Sequence, residues 1–153
     1  MIKVYLDSCV YNRPFDEQTN ERVFIEARAF YVVIKWIEDG KVISVLSDAL
    51  EYENGLTLSP DRKGRVKSFF SLAKEHVKLS DGSIRRAKEI VDLGLRDMDA
   101  LHIAMAEEGK AHYLVTCDDG IVNFAERNKR RLRVRVCGIL EFLNEVMNDV
   151  ENN

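Results

Sequence analysis

The feature that most constrains this chain is an alternation of two patterns. Short β-branched and apolar runs, Ile2 to Leu6, Val42 to Leu46 and Tyr113 to Thr116, are separated by longer stretches with apolar residues at helical spacing. Near-continuous apolar runs of this length belong to strands covered on both faces. Strands joined through helices pair in parallel, because a parallel neighbour needs a long crossover connection. The expected fold is therefore α/β, a three-layer sandwich with a central parallel sheet of four or five strands and helices on both faces.

The punctuation supports this division. Val23, Phe24, Ala27, Phe30, Tyr31, Ile34 and Ile37 predict a helix over 21–38, closed by Asp39-Gly40. Ser47 is a natural cap for a helix over 48–54. Further helices are expected over 62–75, 84–93, 98–108, 122–126 and 139–149, with Asp97 at the cap position of the third. Val77 to Leu79 is expected as a short strand, and the segment with Asn12, Arg13, Pro14 and Asp16 as a polar loop. Leu132, Val134 and Val136 alternate with Arg131, Arg133 and Arg135, the pattern of a charge-guarded edge strand. No repeat or low-complexity segment interrupts the chain, so a single domain is expected over 1–149, with 150–153 as a frayed tail.

Composition narrows the function classes. A chain of 153 residues buries about two-thirds of its unfolded surface and needs no disulfide or structural metal to fold. Its net charge of −3 gives no global attraction to nucleic acid, so such a partner would be held by local cations or bound metal. Three cysteines with no CxxC pair argue against a disulfide framework and a thiolate zinc site. No apolar run reaches membrane-spanning length and the start lacks a signal-peptide pattern, so a cytoplasmic protein without a membrane partner is expected.

Acids stand where the ligands of open parallel sheets bind, beyond the C-terminal strand ends. Asp7 follows the first strand, Glu51 and Glu53 follow the second, Asp97 and Asp99 open a helix, and Asp118 and Asp119 follow the strand at 113–116. Carboxylates brought together repel one another unless a hard cation such as Mg²⁺ or Mn²⁺ joins them. Each also has a simpler use: strand end, helix start or turn.

At this point the chain resembles a family. Tyr5-Leu6-Asp7-Ser8-Cys9-Val10, Ser47-Asp48-Ala49-Leu50-Glu51-Tyr52-Glu53, Asp99-Ala100-Leu101-His102-Ile103-Ala104 and Val115-Thr116-Cys117-Asp118 look like the four motifs of PIN-domain nucleases, in order. The opening through Asn12-Arg13-Pro14-Phe15-Asp16 is similar to a subset of small prokaryotic members, and VapC-type toxins belong to the same broad family. The resemblance implies a Mg²⁺- or Mn²⁺-dependent endoribonuclease whose catalytic and metal-binding acids are Asp7, Glu53, Asp99 and Asp118. Glu53 is preferred to Glu51, and Asp118 to Asp119. The family also implies an RNA substrate, a homodimer and, for toxins, an antitoxin partner.

Around these acids, Arg13 is the candidate RNA contact, and Ser8, His102 and Thr116 are candidates for supporting the site. His102 lies three residues beyond Asp99, on the same helix face, where it either packs behind the site or ligates a transition metal. Cys9 and Cys117 are expected as small buried fillers. Two rival functions are a PIN-like RNA-binding module without cleavage and a phosphatase-like Asp-dependent phosphoryl-transfer enzyme. The dehalogenase form of the latter wants a second Asp two residues after the first, where this chain has Cys9.

Overall fold

The computed structural model describes residues 1–152. The elements run β1 (Ile2–Leu6), α1 (Ser8–Asn12), a 3-10 turn (Arg13–Phe15), α2 (Glu21–Glu38), β2 (Val42–Ser47), α3 (Asp48–Gly55) and α4 (Pro60–Phe70). They continue with β3 (Glu75–Val77), α5 (Asp81–Asp92), α6 (Asp97–Glu108), β4 (Tyr113–Thr116), α7 (Asp119–Arg127), β5 (Arg135–Gly138) and α8 (Ile139–Glu151). The five strands form one parallel sheet in the order β3-β2-β1-β4-β5.

That order places the ligand-binding edge. From β1 the chain steps outward to β2 and β3, then returns past both to β4 and steps outward again to β5. Right-handed crossovers put the helices of the two halves on opposite faces. Accordingly α2 packs on α8 and β2, while α5 packs along α6 and α7 lies against β4 and β5. The winding reverses between β1 and β4, where diverging connections leave a crevice at the C-terminal strand ends.

The core is dense and aromatic. Tyr5, Tyr11, Phe30 and Phe142 are fully enclosed, and Tyr11 meets Phe30 and Phe70 edge to face. Helix α6 is buried almost all round, with Ala100 and every residue from His102 to Ala106 inaccessible, because it is held between α3, α5 and β4. Its end at Gly109 approaches the sheet so closely that a Cβ there would stand 2.8 Å from Val77 and 2.9 Å from Val45.

Several boundaries differ from the sequence expectation. The expected loop after Asp7 folds into α1 and the 3-10 turn, pinned by Asn12 donating to the Ser8 carbonyl and by Arg62 donating to Asn12. Helix α4 starts earlier, at Pro60 behind a Ser59 cap, and ends at Phe70, so β3 begins at Glu75 rather than Val77. A capping box between Ser80 and Ser83 starts α5 at Asp81. Strand β5 begins only at Arg135, because residues before it turn back on Asn128. Arg96, not Asp97, occupies the cap position of α6. Helix α8 continues to Glu151 with Val150 buried, so most of the expected tail is helical, and residue 153 lies outside the described residues.

Candidate active site at the C-terminal edge of the sheet

Asp7 stands at the reversal point, one residue beyond β1. Its amide donates to the Val115 carbonyl at 2.9 Å, extending the β1–β4 ladder by one step. One carboxylate oxygen caps α1 by accepting from the Ser8 amide at 2.8 Å. The other accepts from the Thr116 hydroxyl at 2.8 Å and the Cys9 thiol at 3.4 Å. The same Thr116 oxygen accepts from the Asp118 amide at 3.1 Å, so one hydroxyl ties the ends of β1 and β4 together. Ser8 contributes through its backbone, and Cys9 is no inert filler.

Three further acids arrive from other elements. Asp118 caps α7, accepting from Gly120 and Ile121 amides through one oxygen, and presents the other to Arg96 at 3.5 Å. Asp99, in the first turn of α6, also meets Arg96, at 3.0 Å. Burial raises the Asp99 pKa, and although Arg96 opposes this, the charges of Asp7 and Asp118 help keep it raised. Arg96 thus joins Asp99 to Asp118, and Thr116 joins Asp7 to the Asp118 amide, so the three acids share one strand edge. Glu53, on α3, accepts from His102 Nε2. Glu51 lies two residues away, about 200° around that helix. Asp119 is bonded to Arg22 at 2.7 Å, and Asp97 is exposed.

His102 is deeply buried. Its Nδ1 lies 2.6 Å from the Tyr5 hydroxyl, which lies 2.6 Å from Ser47 Oγ, which in turn accepts from the Leu50 amide. With the ring neutral and protonated on Nε2, the chain runs Leu50 N–H to Ser47, Ser47 O–H to Tyr5, Tyr5 O–H to Nδ1, and Nε2–H to Glu53. Burial pulls the His102 pKa down, but the Glu53 hydrogen bond and the charges of Asp7, Glu53 and Asp99 outweigh it and the net shift is upward. Asp7, Glu53 and His102 each offer a ligand atom within 4.8 Å of the others, a buried group able to hold a metal ion.

Arg13 is already paired. Its guanidinium donates to buried Glu26 at 2.9 Å and to Asp16 at 3.2 Å, so it stabilises the 3-10 turn and offers little to a phosphate. The cation beside the acids is Arg96, which sequence reasoning missed along with Tyr5 and Ser47. The signal for Arg96 was local: it immediately precedes the helix that Asp99 opens. Ser47 was legible as the α3 cap, but its pairing with Tyr5 carried no signal, since it joins residues on neighbouring strands.

No family model and no curated protein matches the chain. A crystal structure of VapBC2 from Rickettsia felis bound to a DNA fragment from their promoter is similar over 90% of this chain and 98% of that one, with a TM-score of 0.58 and 15% identity. At that identity the likeness is one of fold alone, here a five-stranded parallel sheet between helices.

Proposed function

We propose that this protein is a metal-dependent endoribonuclease, hydrolysing RNA phosphodiester bonds at the reversal point of the sheet. One observation carries the reading: Asp7, Glu53, Asp99 and Asp118 come from four separate elements to the same strand ends. The donor set fits a hard divalent cation, being oxygen-rich, partly buried and mutually repulsive without a counter-charge. A bound Mg²⁺ or Mn²⁺ would supply an ionised water and neutralise charge on the phosphoryl oxygens.

The chain's own residues supply position. Thr116 and the Ser8 amide fix the Asp7 carboxylate in one orientation. Asp118 is held by its capping bonds, leaving one oxygen for the site. Arg96 is 80% exposed beside Asp99 and Asp118, so its remaining N–H groups are free to hold a phosphate.

The test is cleavage of a single-stranded RNA by the purified chain with Mg²⁺ or Mn²⁺ and then with excess chelator. The expected products carry 5′-phosphate and 3′-hydroxyl ends and form only with metal. Undiminished cleavage in chelator, or 2′,3′-cyclic phosphate ends, would count against the proposal.

The reading extends to partners. An antitoxin that covers the site and a homodimer both follow from the resemblance. Phe24, Ile25, Tyr31 and Val32 leave an exposed apolar surface on α2 for such contacts. Light scattering of the purified chain tests the homodimer. Among the described residues no helix is long and apolar enough to cross a membrane, and the three cysteines are free thiols, which suits a reducing, cytoplasmic setting.

A further inference from the structure

His102 is built as a ligand is built. Its ring is almost wholly enclosed, and the fully buried Tyr5 ring stands edge-on to it with centroids 5.7 Å apart. Tyr5 also fixes Nδ1, so Nε2 has one direction left, toward the carboxylates. There it meets Glu53 and lies 3.9 Å from Asp7 Oδ1. Adjacent ligand atoms on an octahedral ion with bonds of about 2.1 Å lie about 3 Å apart, so small side-chain adjustments would bring all three onto one cation.

The atoms behind the ring suit that role. A metal-bound histidine donates its other ring N–H to a neighbour that sets its tautomer and orientation. Hydroxyls rotate, so Tyr5 can accept from Nδ1–H while donating to Ser47 Oγ, which still accepts the Leu50 amide. The chain can thus run away from His102 without leaving an amide or ring nitrogen unpaired.

We propose that His102 Nε2 is itself a metal ligand beside Asp7 and Glu53, and that it biases the site toward first-row transition ions such as Mn²⁺ over Mg²⁺. This rests on the metal-dependent reading above. An all-oxygen site suits Mg²⁺, whereas an imidazole nitrogen contributes more to transition ions.

The experiment is pulsed electron paramagnetic resonance on the intact protein loaded with Mn²⁺, with calorimetric titration of Mn²⁺ and Mg²⁺. Directly bound imidazole gives a ¹⁴N coupling, which should change to a ¹⁵N pattern when histidine alone is ¹⁵N-labelled. The other histidines are engaged away from the site, His76 with Asp48 and His112 with the Lys3 amide, so the signal reports His102. Tyr5→Phe should keep the coupling and weaken Mn²⁺ binding about tenfold. His102→Gln should lose the coupling and weaken Mn²⁺ more than Mg²⁺. The parent spectrum decides even if a variant fails to fold. Mn²⁺ bound without nitrogen coupling would overturn the inference, leaving His102 to position Glu53 and the nuclease proposal standing. No binding at millimolar Mn²⁺ would overturn both.

Discussion

At the C-terminal ends of β1 and β4, Asp7, Asp99 and Asp118 share one strand edge, with Arg96 lying between two of them. At the opposite ends of the strands the acids are ion-paired, whereas Asp99 and Asp118 share one arginine. Arg86 donates to Glu107, Arg135 to Glu141 and Glu145, and Lys3 to Glu75. Glu107, almost wholly buried, also accepts from the Arg133 amide at 2.8 Å. Charges that cancel locally stabilise a fold or cost it little. Charges of one sign held together against repulsion need another reason, and a ligand of opposite sign supplies one.

The largest expected effect tests the acidic end. Glu53→Gln and Asp99→Asn should each abolish metal-dependent cleavage while the protein remains folded by circular dichroism. Full activity in either variant would remove that carboxylate from the site.

The next effect belongs to the paired end. Glu107→Ala removes the partner of the Arg133 amide and leaves the Arg86 guanidinium with only Glu89 and the Arg131 carbonyl. It should cost about 2 kcal/mol of unfolding free energy in urea, the scale of lost hydrogen bonds to a charged group. Affinity for Mn²⁺ should be unchanged in the folded fraction. A variant that loses metal binding but keeps its stability would invert the comparison.

A smaller difference should appear within the acidic end. In chelator, Asp7→Asn should lower stability by about 1–2 kcal/mol, because an amide cannot accept from both the Ser8 amide and the Thr116 hydroxyl as the carboxylate does. Asp99→Asn should leave the melting temperature unchanged or raise it. The Asp99 pKa is raised by folding, so its ionisation disfavours the folded state. The chelated parent should therefore lose stability as pH rises through the folded Asp99 pKa, and Asp99→Asn should flatten that slope. Equal losses in the two variants would mean that Asp99 is as structural as Asp7.

The smallest effect probes the sheet between the two ends. Burial pushes the Cys137 thiol on β5 up to about 12, so a thiol reagent at pH 8 should leave it unmodified in the native protein. Peptide mapping after alkylation checks this, and labelling as extensive as in denaturant would show that β5 opens readily.

Much of this was legible in the sequence because it depends on neighbours along the chain. Helical spacing and the stop at Asp39-Gly40 reproduced α2, and Gly40 does adopt a positive φ of 73°. Strands β1, β2 and β4 stood out as apolar runs, and Asp7 and Asp118 as acids at strand ends. Edges of weaker elements were misplaced where a distant partner sets them. The segment after Asp7 is helical because Arg13 and Arg62 reach partners on and around it, and its composition alone resembles a loop.

The sequence by itself therefore determined the fold class and which strand ends carry acid, since periodicity and turn chemistry act over a few residues. The tertiary structure decided which side chains meet. It turned Glu53 rather than Glu51 toward Asp7, gave His102 a carboxylate on one side and Tyr5 on the other, and paired Arg13 with Glu26 and Asp16 while bringing Arg96 to the acids. Those choices depend on the strand order, which reverses between β1 and β4 and joins residues about a hundred positions apart. No local pattern encodes that order, because it is set by how the whole sheet buries its two faces.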